Sequence, residues 1–383
     1  MRKVCVVVTA RPSYSRIKSL LSAIRAHPDL ELQLVVMASA LLDRYGNAIR
    51  YIEQDGFEVA AKLHIVLAGE NLTTMAKTTG LGLIELSTTF ENLKPDVVVT
   101  VADRYETLAN AIAAAYANIP LVHVQGGEVS GSIDEKVRHA VTKLADAHFV
   151  ATEKAAERLI RMGELPERVH VTGCPSIDLA AEVLANPALD FDSLARYGGV
   201  GPRVTLQGDY LVVIQHPVTT EYELCQHHVQ EVLCAVRNLG IPTLWFWPNV
   251  DAGSDGTSKG IRMFREQEGA SNICFFKGMD PLYFLRLLSH SCGIVGNSSV
   301  AIRECSFLGV PAVNIGSRQA GRERAQNVID VDYNRIAIEA AVRAHLTNGR
   351  FPPSRLYGDG TAGLRMAELL AAMPLSIDKR LPY

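Results

Sequence analysis

Residues 96–128 read DVVVTVADRYETLANAIAAAYANIPLVHVQGGE, and the fold follows from how this stretch is parsed. Asp96–Val101 is a largely apolar run of strand length, and it does not alternate. Arg104–Asn118 has the spacing of an amphipathic helix, and Leu121–Gln125 is a second short apolar run. Runs without alternation suit strands covered on both faces, as in a parallel sheet. A β-α-β unit with charged residues gathered just beyond each strand is the expected result.

The same rhythm extends in both directions. Val4–Thr9 and Leu32–Met37 precede the stretch as strands, and helix Glu135–Asp146 and strand His148–Thr152 follow it. Between Asn186 and Gly208 the periodicity stops and prolines and glycines collect, which marks a crossing to a second domain. Strand-length runs then resume at Tyr210–Gln215, Thr243–Trp247, Ile273–Phe276, Gly293–Val295 and Ala312–Ile315. Helices are expected at Leu224–Leu239, Pro281–His290 and Val300–Leu308. The expected architecture is therefore α/β, with two Rossmann-like domains facing a cleft, over about 1–180 and 205–361. A last helix near Ala362–Ala372, within 362–383, packs back on the first domain.

Bulk properties narrow the class. The 383 residues carry a net charge of −3 with 21% charged residues of both signs interspersed. A nucleic-acid binder needs a basic stripe, so that class is excluded. No uncharged run approaches the roughly 20 residues of a membrane span, and the chain enters a strand without a leader, so a cytoplasmic protein is expected. Seven cysteines, none in a C-x-x-C pair, read as buried reduced thiols. His227-His228 lacks zinc-ligand spacing and reads as helix surface. His123, Asp146 and His148 read as structural.

In open parallel sheets, ligands bind beyond the carboxyl ends of the strands. The polar residues of this chain fall there. Arg11 and Ser15 follow the first strand, Asp103-Arg104 follows Asp96–Val101, and Gly126-Gly127-Glu128 precedes Asp134. In the second half, Gln215-His216-Pro217, Asn249 with Asp251, and Gly296-Asn297-Ser298-Ser299 occupy the matching places. Ser298 and Ser299 suit a helix cap, and equally a phosphate seat of backbone N–H groups. Arg11, Arg104 and Arg318 suit surface ion pairs singly and a diphosphate clamp together. Glu304 suits ribose hydroxyls, and equally an ordinary surface glutamate. His216 can exchange a proton near neutrality or bind phosphate. Asp103, Glu128 and Asp134 put three carboxylates on one rim, and crowding raises one pKa toward the range of acid–base work. The G-x-G-x-x-G fingerprint is absent, so a dinucleotide cofactor has little support.

At these residues the chain resembles the hydrolysing UDP-N-acetylglucosamine 2-epimerases, the bacterial enzymes of sialic acid synthesis and the epimerase half of the animal bifunctional enzyme. The resemblance rests on ordered runs along nearly the whole chain. They include Tyr45-Gly46-Asn47, Gly126-Gly127-Glu128-Val129-Ser130-Gly131, Gln215-His216-Pro217-Val218-Thr219-Thr220, Pro248-Asn249-Val250-Asp251-Ala252-Gly253-Ser254 and Tyr357-Gly358-Asp359-Gly360. It implies a glycosyltransferase-B type of double Rossmann fold, with UDP held mainly by the second domain. It implies that Arg11, Ser15, Arg104, His216, Asn249, Asp251, Ser298, Ser299, Glu304 and Arg318 line a UDP-sugar site. It also implies that Asp103, Glu128, Asp134 and His216 serve turnover, without cofactor or metal, in a homodimer or homotetramer.

The implied reaction removes the C2 proton and expels UDP to leave a 2-acetamidoglycal. Water then adds at C1 and C2 is reprotonated on the other face, releasing N-acetylmannosamine. Glu128 or Asp134 is the expected base, Asp103 the other proton-transfer group, and His216 the partner of the departing phosphate. His123-Val124-Gln125-Gly126-Gly127-Glu128 stands where the non-hydrolysing relatives have a different run, which favours the hydrolysing branch. Ala40, Val101-Ala102 and Gln125 replace more polar or charged residues near the sugar end. That opens UDP-N,N′-diacetylbacillosamine, of the legionaminic acid pathway, as an alternative substrate. A glycosyltransferase of the same fold and a non-catalytic sugar-nucleotide sensor are the competing classes.

Overall fold

The computed structural model describes residues 1–381 except 70, 102–103, 132, 190–195, 205, 207–208, 249–250, 268 and 270. The chain divides into two compact units. The first comprises Met1–Glu128, Ile133–Leu179 and Tyr357–Tyr383, and the second Val129–Ser132 with Ala180–Leu356.

The first unit is a seven-stranded parallel sheet. Its strands are β1 (Arg2–Val8), β2 (Leu30–Met37), β3 (Val59–Leu63), β4 (Val97–Val101), β5 (Leu121–Val124), β6 (Ala147–Val150) and β7 (Val169–Val171). They lie in the order β3-β2-β1-β4-β5-β6-β7. The Val-rich interior strands are buried throughout β4, β5 and β6, as the uniform apolar runs require. Two buried clusters cover the faces. One joins Val4, Val6 and Val8 to Leu20, Ile24, Met366 and Leu370, and the other sets Cys5, Val7 and Val98 against Leu86, Phe90 and Val141. The final helix, Ala362–Ala372, packs on helix Lys18–Ala26. Asp178 fastens its start by accepting from the backbone N–H groups of Ala362 at 2.9 Å and Gly363 at 2.7 Å.

The second unit is a six-stranded parallel sheet with the same winding. Its strands are β8 (Leu211–Ile214), β9 (Thr243–Phe246), β10 (Ile273–Phe276), β11 (Gly293–Gly296), β12 (Ala312–Ile315) and β13 (Val328–Val331), in the order β10-β9-β8-β11-β12-β13. In each sheet the direction of winding reverses at one place, between β1 and β4 and between β8 and β11. Those are the switch points where such sheets open a crevice beyond the strand ends.

One expected helix is not continuous. In place of Val300–Leu308 there is a single 3₁₀ turn, Ser299–Ala301, followed by a short α-helix, Glu304–Leu308. The β-branched Val300 and Ile302 are poor helix formers. The positive helix end expected beside Ser298 is therefore that of one turn. All seven cysteines are free, and burial pushes the Cys5 thiol up to about 12 and the Cys292 thiol to about 11. Both are therefore protonated thiols at neutral pH. No helix among the described residues is long and apolar enough to cross a membrane.

A buried charge cluster ties the C-terminal segment to this frame. Glu164 accepts from Lys379 at 2.6 Å, Lys143 at 2.7 Å and His148 at 2.9 Å. Burial alone would raise its carboxyl pKa, but these three donors outweigh burial and hold it down at about 2. A depressed carboxylate stabilises the fold above its ordinary pKa of 4.5, and that stability is lost as pH falls toward 2. Glu164→Gln should therefore cost about 3 kcal/mol at pH 7, the scale of breaking a buried pair. It should also flatten the decline in Tm between pH 4.5 and about 2, measured by calorimetry against the parent chain.

Candidate functional site

The β8–β11 switch point is built around one amide. Asn297, fully buried, follows β11 directly, and its own backbone N–H donates to the Ile214 carbonyl at 3.1 Å. Its Oδ1 accepts the His216 backbone N–H at 2.8 Å, and its Nδ2 donates to the His216 carbonyl at 2.8 Å. The amide is thus locked in one orientation, because a flip would set like against like at both contacts. His216, 5% exposed, is held through its backbone N–H and carbonyl at the end of β8. The close approach requires glycine at 296: φ is +133°, and a Cβ there would lie 2.1 Å from the Ile214 carbonyl oxygen.

The Asn297 carbonyl is a second hub. It accepts from Arg318 Nη1 at 3.2 Å and from Gln319 Nε2 at 2.9 Å, which sets the β12 loop against the β11 end. Arg318 Nη2 also stands 4.0 Å from Asp251 Oδ2. Ser298 accepts the Val300 N–H at 3.4 Å and Ser299 is buried beside it. Glu304, 5% exposed, has an Oε2 with no hydrogen-bond partner among the described residues. His216, Asp251, Ser298 and Arg318 are thereby gathered around Asn297. Asn249 and Asp103 lie outside the described residues.

In the first unit, Arg11 opens the short helix Arg11–Ser15 after β1 and is half-buried. Burial pulls its guanidinium pKa down, with Tyr51 partly offsetting. Ser15 donates within its own turn, to the Pro12 carbonyl at 3.1 Å. Arg104 is buried and held by Glu106 through two contacts, Nη2 to Oε1 at 3.0 Å and Nε to Oε2 at 3.2 Å. Beyond β5 the chain turns through Gln125 at φ 68° and Gly127 at φ 73°. A left-handed, buried glutamine is an unusual conformation that the surroundings must enforce, and its Nε2 donates to the Cys174 sulfur at 2.9 Å. This turn leads to Glu128, which is 4% exposed, with its carbonyl accepting from Arg138 at 2.9 Å. Asp134 sits in the first turn of helix Ile133–Leu144.

His123, Asp146 and His148 are engaged in fixed bonds, to Thr142, the Leu121 N–H and Glu164. His228 departs from the surface reading. His227 is exposed, but His228 is buried and lies flat on Tyr333 at 3.6 Å. Reading the sequence also missed Glu106, an acid two residues from Arg104 that passes for a surface charge. The expected helix Arg104–Asn118 takes in Glu106, whereas the observed helix starts only at Thr107 and leaves Glu106 turned inward on Arg104. Chemically, the second unit offers arginine and strand-end N–H groups suited to an anion. The first offers buried or half-buried carboxylates suited to proton transfer.

Residues 22–371 match the family model described as UDP-N-acetylglucosamine 2-epimerase. The chain is 34% identical over 375 residues to the UDP-N,N′-diacetylbacillosamine 2-epimerase (hydrolyzing) of Legionella pneumophila, covering 98% of this chain and 97% of that one. It is 29% identical over 373 residues to the UDP-N-acetylglucosamine 2-epimerase of Neisseria meningitidis, with 97% and 95% covered. The fold is similar to that of Methanocaldococcus jannaschii UDP-GlcNAc 2-epimerase, solved in complex with UDP-GlcNAc and UDP. The TM-score is 0.80, with 20% identity over 96% of this chain and 99% of that chain.

The Glu106–Arg104 pair yields a direct test. Glu106→Ala removes the bidentate partner of a buried guanidinium and should cost about 3–5 kcal/mol, read from urea denaturation midpoints at constant m-value.

Proposed function

This chain belongs to the UDP-N-acetylglucosamine 2-epimerase family, and on that premise we propose that it is a hydrolysing UDP-sugar 2-epimerase. The observation that carries the reading is end-to-end similarity to a hydrolysing enzyme, joined to carboxylates beyond β5 and an anion-suited rim beyond β8 and β11. The substrate is a UDP-activated 2-acetamido sugar, and the products are UDP and the free 2-epimeric sugar.

In this reading the second unit takes UDP. Arg318, Ser298 and Ser299 serve the diphosphate, Glu304 a ribose hydroxyl, and Asn249 and Asp251 assist. Arg11, Ser15 and Arg104 complete the set from the first unit. Glu128 or Asp134 removes the C2 proton as the C1–O bond to UDP breaks, which leaves a 2-acetamidoglycal. Asp103 is the second proton-transfer group, and returns a proton to C2 on the opposite face while water adds at C1. A C–H acid this weak needs a base held close and partly dry, which the burial of Glu128 favours. His216 serves the departing phosphate, and neutralising the developing charge makes UDP a competent leaving group. No cofactor or metal enters the scheme. A cytoplasmic homodimer or homotetramer belongs to the same reading.

Two hexoses fit. UDP-N-acetylglucosamine is the first expectation, and would give N-acetylmannosamine. UDP-N,N′-diacetylbacillosamine is favoured by the 34% relative and by Ala40, which is fully buried where a polar residue is the expectation for the N-acetylglucosamine enzymes. A pocket built to hydrogen-bond a hydroxyl discriminates strongly, so loss of a polar group fits a 6-deoxy sugar.

The test is UDP release from each nucleotide sugar without an acceptor. At least tenfold higher kcat/KM for one assigns the hexose, and release from neither would remove the function. Asp103→Asn, Glu128→Gln and Asp134→Asn should each lower kcat about 10²–10⁴-fold with UDP affinity nearly unchanged. A variant with near-normal turnover removes that carboxylate from the mechanism.

A further inference from the structure

The clamp on His216 has a support of its own behind it. Tyr333 lies just beyond β13, and its ring rests flat on buried His228 of helix Cys225–Leu239, with centroids 3.6 Å apart and planes within 1°. Gly316 also lies close against it, since a Cβ there would come within 2.4 Å of the Tyr333 ring. The ring is therefore packed against both His228 and the Gly316 backbone. Its hydroxyl sits 3.2 Å from Gln215 Nε2 and 3.5 Å from Asn297 Nδ2.

The chemistry of these contacts is settled by their neighbours. Asn297 Nδ2 must be the amide nitrogen, because it also faces the His216 carbonyl. Gln215 Nε2 faces the same carbonyl at 3.3 Å, so it too is a donor. The Tyr333 oxygen therefore accepts from both amides. Burial raises the Tyr333 pKa, so the oxygen is that of a neutral phenol at pH 7. Gln215 Oε1 is buried with no partner among the described residues, so this amide is held from its nitrogen side alone.

We propose that Tyr333 is a positioning residue for His216, acting through its hydroxyl on the side-chain amides of Gln215 and Asn297. It touches neither substrate nor reacting atoms. The inference rests on the reading above in which His216 serves the departing phosphate. A lost acceptor removes an anchor from both amides and lets the Gln215 amide, held from its nitrogen side alone, turn, and the His216 carbonyl that both amides grip then shifts with the imidazole. A displacement of about 1 Å at a reacting centre can cost about 10²-fold in rate.

The experiment is a double-mutant cycle of Tyr333→Phe with His216→Ala, read by kcat for UDP release and by calorimetric UDP affinity. Phenylalanine keeps the stack on His228 and the fit against Gly316, so Tm should stay within about 3 °C of the parent. We expect Tyr333→Phe to lower kcat about tenfold and UDP affinity about threefold. In the His216→Ala background both losses should shrink to twofold or less, since a residue that works through another adds nothing once that other is gone. A general structural defect would persist in that background, and persistence overturns the proposal, as does parental kcat in Tyr333→Phe. Parental kcat in His216→Ala alone overturns it together with its premise. Non-additive UDP affinity in a chain that turns over neither nucleotide sugar would sustain the Tyr333 role and remove the proposed reaction instead.

Discussion

The two hydrogen bonds between the Asn297 amide and the His216 backbone are the constraint from which the second unit's site follows. They bridge β8 and β11, where the sheet changes its direction of winding and a crevice must open. Neither strand end could approach the other without glycine at 296, and neither loop would hold its shape without an amide that satisfies both a donor and an acceptor. Because Asn297 is fully buried, each of these bonds is made where an unsatisfied group would be expensive. The Asn297 carbonyl then carries the constraint outward to Arg318 and Gln319.

The first unit solves the same problem with charge rather than amides. Arg104 is buried because Glu106 is buried with it, and together they fix the chain between β4 and the next helix. The turn after β5 is held by a left-handed glutamine and a left-handed glycine, with the Gln125 side chain on Cys174. These are local departures from ordinary backbone geometry at the strand ends, where function is expected to concentrate. The Glu164 cluster fastens the C-terminal segment to the end of helix Ile133–Leu144. Lys379 donates to the Thr142 carbonyl at 2.9 Å and to the Ala145 carbonyl. The helix that opens with Asp134 is thus anchored at its other end by the C-terminal segment.

Much of this was legible in the sequence where burial was uniform. The inner strands β1, β2, β4, β5, β8, β9, β11 and β12 announce themselves as apolar runs, and helices Pro281–His290 and Ala362–Ala372 fall where their periodicity places them. The strands that did not announce themselves are β3, β7 and β13, which lie at sheet edges and mix in lysine, histidine or aspartate. Half-covered strands carry a weaker pattern, so they read as loops. The strand-end places of candidates such as His216 and Ser298 were legible, because sheet topology alone puts them there. What sequence could not convey was pairing across distance. Nothing local tells that Asn297 grips His216, that Glu106 is an inward acid, or that His228 faces Tyr333. A residue's partner is a property of the packed chain.

In the proposed reaction C2 loses its proton and the sugar's C1–O bond breaks, with water returning to C1. The most direct measurement is turnover in H₂¹⁸O and D₂O together, with the products read by NMR and mass spectrometry. Hydrolytic epimerisation by this route gives one ¹⁸O at C1 of the free sugar, none in UDP, and deuterium at C2 of the inverted product. Label in the phosphate of UDP, or a free sugar with its original C2 configuration and hydrogen, would contradict it.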